Sequence, residues 1–74
     1  VYMATAFRRY HNCTIGEYVR RLRIEYSCRE LAGSNRPLAE IAASAGYADQ
    51  SHFCRAFRNS TGLSPAQYRR LYLN

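Results

Sequence analysis

Apolar residues recur along this chain three or four apart, and nowhere do they alternate with polar ones as a strand would require. Leu38, Ile41, Ala42 and Ala45 stand at i, i+3, i+4 and i+7 and form one stripe. The small Ala42 and Ala45 let a neighbouring helix come close. Phe53, Ala56 and Phe57 form a second stripe, continued by Ser60. Between residues 15 and 31 the pattern is double. Ile15, Tyr18, Val19, Leu22 and Tyr26 cluster on one side of a helix, while Ile24, Cys28 and Leu31 lie at i, i+4 and i+7 on nearly the opposite side. Two opposed stripes predict a helix that packs against two separate small subdomains.

The residues between the stripes mark where helices start and stop. Five helices are expected. The first covers about residues 1–10 and stops near Asn12. The second starts after Thr14 and runs to about Ala32, where Gly33-Ser34-Asn35 breaks it. The third opens at Pro37, a residue tolerated in a first helical turn, and ends before Gly46. The fourth is capped by Asp49 and ends before Gly62; the fifth starts after Ser64. Glu17 with Arg21 and Glu25 with Arg29 have the i,i+4 spacing of exposed ion pairs.

A shift of fifty residues aligns the two ends of the chain. Ala6-Phe7-Arg8 then matches Ala56-Phe57-Arg58, Tyr18 matches Tyr68, and Arg20 matches Arg70. Asn12 faces Gly62, the two residue types that best tolerate a left-handed helix stop. Thr14-Ile15-Gly16-Glu17 faces Ser64-Pro65-Ala66-Gln67, and both are capping boxes. The chain thus holds two copies of one device, and residues matching 37–50 would lie before Val1. As the chain starts at Val1 and not at Met, it reads as a fragment.

Seventy-four residues suffice for one small domain with a thin core. The charged residues include eleven Arg, no Lys and five acids, for a formal net charge of +6. That excess favours a polyanionic partner, nucleic acid before membrane surface. No apolar run is long enough to span a membrane, and no signal peptide opens the chain. The odd set Cys13, Cys28 and Cys54 lacks a CxxC pair and reads as reduced cytosolic thiols. A zinc set drawn from Cys13, Cys54, His11 and His52 fits no zinc spacing, so no metal and no cofactor are expected. Neither a hydrolase triad nor a phosphate-cradling glycine loop is present, and the reading is not an enzyme.

The stretch from residue 38 to 61 combines a helix, a connection of three residues, Gly46-Tyr47-Ala48, and a second helix capped by Asp49. On that second helix Ser51, Arg55 and Arg58 point away from the apolar stripe, flanked by His52, Cys54 and Asn59. Hydroxyl, imidazole and guanidinium groups carry the donors and acceptors needed to read base edges. A protein-interaction module using the same basic surface is the alternative reading.

Leu38-Ala39-Glu40-Ile41-Ala42, then the run from Ala45 to Phe53, then Arg55-Ala56-Phe57 and the run from Gly62 to Arg69 closely resemble the signature of the AraC/XylS family. The likeness extends more loosely back through Arg23, Tyr18 and Thr14. It implies an all-α fold of two helix-turn-helix units joined by a long linker helix, the first unit incomplete. Residues 1–13 would be the recognition helix of that first unit, 14–33 the linker helix, and 34–74 the second unit with a C-terminal helix. The function it implies is sequence-specific binding of double-stranded DNA by a bacterial transcription regulator, in the cytoplasm and at the nucleoid. RNA polymerase is a further partner it suggests, with any effector or dimerisation domain outside this chain.

By the same resemblance Gln50, Ser51, His52 and Arg55 would contact bases in the second unit, and Val1, Ala4 and Thr5 in the first. Val1 and Ala4 offer only apolar contacts, such as thymine methyl groups. Arg8, Arg9 and Arg58 would meet phosphates. Eighteen linker residues at about 1.5 Å each span roughly 27 Å. With the width of the flanking units, both recognition helices would reach adjacent major-groove segments on one face of the duplex.

Overall fold

The structure, a computed structural model, describes residues 13–73. Those residues are all-helical, in four elements: α1 (Ile15–Gly33), α2 (Leu38–Ser44), α3 (Gln50–Thr61) and α4 (Pro65–Tyr72). The helix expected over residues 1–10 lies outside the described residues.

Local chemistry sets the helix ends. At α1 the Glu17 amide donates to Thr14 Oγ1 (3.0 Å) and the Thr14 amide to Glu17 Oε1 (3.1 Å). At α4 the Gln67 and Ser64 amides make the same exchange, at 3.2 and 2.9 Å. Each box satisfies two amides that a helix start would otherwise leave unpaired. Pro37 sits one position earlier than expected: it is the N-cap of α2, with ψ 147°, and α2 has no side-chain cap. Extended backbone before the first helical residue is where a proline costs least.

The end of α2 is a Schellman turn. The Gly46 amide donates to the Ala43 carbonyl (3.1 Å) and the Tyr47 amide to the Ala42 carbonyl (3.0 Å). Gly46 adopts φ 98°, and a Cβ placed there would lie 3.2 Å from Arg23 Nε. The left-handed backbone is what calls for glycine, and a Cβ would in addition press on the Arg23 side chain, which would have to shift. Three residues later Asp49 Oδ1 accepts from the His52 amide at 2.7 Å and starts α3.

The core lies where α1 crosses the other three helices. Ile24, Leu31, Ile41, Ala42, Ala45, Tyr47, Phe53 and Phe57 are buried together, with Tyr26, Cys28, Leu38, Cys54, Ala56 and Tyr68 packed against them. A series of rings runs through it: Tyr47 to Phe53 (5.5 Å), Phe53 to Phe57 (5.7 Å), Phe57 to Tyr68 (5.4 Å) and Tyr68 to Tyr72 (4.5 Å). Edge and tilted contacts at these separations add to the area buried. The Arg23 guanidinium covers Tyr47 at 5.6 Å from its ring centre. Beside Cys28, the Tyr68 phenol titrates above its ordinary value, first through a hydrogen bond with that thiol and then through burial.

Only one of the two stripes on α1 is buried among the described residues. Ile24, Ser27 and Leu31 are covered, whereas Ile15 (38%), Val19 (37%) and Leu22 (44%) are exposed. Tyr26, expected with Ile15, Val19 and Leu22, is instead partly buried against the core, its hydroxyl accepting from Arg36. The buried stripe is also centred differently from expectation. Fully buried Ser27 lies within it, made tolerable by a 2.7 Å bond from its hydroxyl to the Arg23 carbonyl.

Two arginines fasten α1 to its neighbours. Arg36 donates to Glu30 Oε1 (2.8 Å), Tyr26 OH (3.0 Å) and Ser44 Oγ (2.8 Å), bracing the end of α1 against α2. Glu30, foremost through its hydrogen bond, and then Tyr26 hold the guanidinium above its ordinary pKa. Arg36 forms ion pairs here with Glu30 at 2.8 Å and Glu40 at 3.9 Å, whereas the spacing of Glu25 and Arg29 yields none between them. Arg69 Nε donates to the Leu31 carbonyl at 3.2 Å and so ties α4 to the last turn of α1. That last turn carries no basic residue of its own, and a cation there complements its dipole.

Candidate nucleic-acid interface

The helix α3 has two chemically distinct sides. Phe53 and Phe57 are fully buried, and Ala56 and Cys54 lie partly buried beside them. At about 100° per residue, Ser51, Arg55 and Arg58 fall on the far side. Gln50, Ser51, His52, Arg55, Arg58 and Asn59 are all exposed. The Phe53–Phe57 anchor fixes the rotation of the helix, and that rotation brings Ser51, His52, Arg55, Arg58 and Asn59 onto one continuous surface.

Ser51, His52, Arg55 and Arg58 thus belong to one face of one helix, while Gln50 is exposed at the helix start, on the side of the Phe53–Phe57 stripe. Gln50 opens the helix, one residue after the Asp49 cap. Next to the turn, the His52 ring meets the edge of Tyr47 at 5.3 Å, which steadies the imidazole at the margin of the face. Arg55 sits at its centre. Arg58 lies in the last turn, near the left-handed stop at Gly62 (φ 83°), whose amide donates to the Arg58 carbonyl at 2.8 Å. No acid of the described residues pairs with Arg55 or Arg58, so the face carries net positive charge. Val1, Ala4, Thr5, Arg8 and Arg9 lie outside the described residues.

Asn59 and Ser60 extend this surface toward α1, where Arg20 closes a hollow of about 460 Å³ lined also by His52, Arg55 and Ala56. Arg20 was not singled out as a site residue in the sequence. Its signals there were its match to Arg70 in the fifty-residue repeat and its position four residues before Ile24 on the buried stripe. Cys13, Cys28 and Cys54 are free thiols, the first buried and the others half-buried. Of the zinc set considered, His11 lies outside the described residues, and no three metal-binding side chains converge among the described ones. No helix among the described residues is long and apolar enough to cross a membrane.

This geometry recurs in known proteins. Residues 2–71 match the family described as "Helix-turn-helix domain". The regulatory protein SoxS of Salmonella typhimurium is 37% identical over 68 residues, covering 92% of this chain and 64% of SoxS. A protein named as an AraC-like transcription regulator in Streptomyces antibioticus is 43% identical over 54 residues, which are 73% of this chain and 18% of that protein. The chain therefore spans less than two thirds of these relatives. Among solved structures, the C-terminal domain of AraT, a response regulator from Geobacillus stearothermophilus, superposes with a TM-score of 0.95 at 29% identity, over 99% of this chain and 60% of that one. An AraC-type DNA-binding protein from Chromobacterium violaceum, at 20% identity and a TM-score of 0.88 over 93% of this chain and 62% of that one, shares the fold. The chain belongs to the helix-turn-helix domain family of AraC/XylS-type transcription regulators.

Proposed function

We propose that this chain binds double-stranded DNA sequence-specifically, with α3 as a recognition helix in the major groove. The observation that carries the reading is the exposed face of Ser51, His52, Arg55 and Arg58, held outward by the buried Phe53 and Phe57, with Gln50 exposed at the helix start. A major groove about 12 Å wide admits a helix of about 10–12 Å diameter. Gln50, Ser51, His52 and Arg55 would meet base edges, the Arg55 guanidinium being suited to the O6 and N7 of one guanine. Arg58, a turn further along, would meet a phosphate.

In the first unit, Val1, Ala4 and Thr5 would contact bases and Arg8 and Arg9 phosphates, making that half the less discriminating. With about 1.5 Å per residue, the 19 residues of α1 extend roughly 28 Å. That length favours two recognition helices in adjacent major-groove segments on one face of the duplex. The chain would act without cofactor, metal or catalysis, in the bacterial cytoplasm and at the nucleoid. Any effector or dimerisation domain would lie outside it. RNA polymerase is the proposed protein partner, and the exposed Leu71, Tyr72 and Leu73 offer an apolar surface for such a contact.

The test is selection of bound sequences from a random duplex library, followed by affinity measurements on the selected site and on scrambled DNA across salt concentrations. A shared sequence motif, bound far more tightly than scrambled DNA and weakening steeply with salt, is expected. Equal affinity for all duplexes would remove the sequence-specific part of the reading. No duplex binding at low salt would leave the protein-interaction alternative.

A further inference from the structure

We propose that Arg20, on the linker helix α1, contacts DNA and clamps a backbone phosphate together with Asn59 of α3. The inference rests on the reading of α3 as the recognition helix. Arg20, Ile24, Ser27 and Leu31 share one face of α1, at spacings of four, three and four. From Ile24 onward that face is buried in the core. At Arg20 it has left the core, and the exposed side chain overhangs the flank of α3. There it closes the hollow whose other walls are His52, Arg55, Ala56, Asn59 and Ser60.

The lining suits one chemistry. Among the described residues, two guanidinium groups, an imidazole, an amide and a hydroxyl line the space, and no carboxylate does. Glu17 and Glu25 of α1 line a neighbouring hollow, which Arg20 and Ser60 also border. Arg20 and Arg55 form no ion pair among the described residues. Guanidiniums around a space that no carboxylate of the described residues lines repel one another there, and an anion that both reach relieves that repulsion.

The position identifies the anion. A helix lying in the major groove has a sugar-phosphate backbone along each of its flanks, since the groove is scarcely wider than the helix. On α3 the outward face ends at Arg58 on one flank and at His52 and Asn59 on the other, counting about 100° per residue. The second flank is the one that faces α1. A backbone passing there enters the hollow, and Arg58 meets the opposite strand. The linker helix thereby becomes a third point of attachment between the two units.

The experiment measures duplex affinity of the complete chain and of Arg20→Gln, Arg20→Lys and Arg29→Ala, between 50 and 200 mM salt. Arg29 is an exposed arginine of α1 that does not line the hollow and serves as the charge control. Far-UV circular dichroism and thermal unfolding confirm that each variant is folded. Arg20→Gln removes a single phosphate anchor and is expected to lower the salt slope by about 0.9, a change of about 3.5-fold across this fourfold salt range. The weakening is expected to be alike on the selected site and on random DNA. Arg20→Lys keeps the slope and Arg29→Ala leaves it unchanged. In a scan of singly methylphosphonate-substituted duplexes, one position should weaken the unsubstituted protein and not Arg20→Gln. An unchanged slope for Arg20→Gln, or an equal drop for Arg29→Ala, overturns the clamp while leaving the α3 reading intact. Absence of duplex binding by the unsubstituted protein overturns both.

Discussion

Replacing Leu31 by alanine tests how the linker helix is held. Leu31 is fully buried in the core cluster with Ile41, Phe53 and Phe57, and its carbonyl accepts from the Arg69 side chain. Truncating a buried leucine removes its transfer free energy and leaves a cavity, at a cost of about 2–5 kcal/mol. At roughly 0.05–0.15 kcal/mol per residue, a domain of 74 residues has about 4–11 kcal/mol of stability. Leu31→Ala is therefore expected to remove from a fifth of the stability to all of it. Leu22, on the same helix but 44% exposed, has little packing to lose. Leu22→Ala is expected to cost under about 1 kcal/mol, in the range of surface changes. Urea unfolding monitored by circular dichroism gives both values, and amide exchange locates the loosening. Leu31→Ala should expose α2–α4 amides to faster exchange. Equal costs for the two substitutions, or a larger one for Leu22, would refute the assignment of a single buried stripe.

Gly46→Ala forces an L side chain into φ 98° and against Arg23, so a loss of about 1–3 kcal/mol is expected, read as a lower midpoint in thermal unfolding. Arg55→Ala is expected to lose discrimination at one base position, by about 1–3 kcal/mol, whereas Arg58→Ala should weaken all duplexes alike and lower the salt slope by about one unit. Binding of both variants to the selected site, its single-base variants and random DNA separates these outcomes; equal, sequence-blind losses would make Arg55 an anchor only. Elemental analysis of protein purified without added metal is expected to find no stoichiometric zinc; one zinc per chain would overturn the reading of the cysteines.

What the sequence by itself determined was whatever depends on near neighbours. The capping boxes at Thr14 and Ser64, the Asp49 cap and the left-handed stops at Gly46 and Gly62 each join residues within a single helical turn, so residue type and spacing suffice to place them. The outward face of α3 was legible for the same reason, because Phe53 and Phe57 fix one side and the helical period assigns the other. Which stripe of α1 is covered was not legible. Ile15, Val19 and Leu22 are as apolar as Ile24 and Leu31, and only the position of neighbouring helices distinguishes them. The burial of Ser27, the bracing of Tyr26 and Glu30 by Arg36, and the reach of Arg69 to the Leu31 carbonyl likewise came from the tertiary structure. So did the placement of Arg20 beside Asn59. These contacts join side chains from different elements, or depend on one element lying against another. The helical period fixes which direction a side chain takes from its own axis; the packing of α1 across α2, α3 and α4 decides what it meets there.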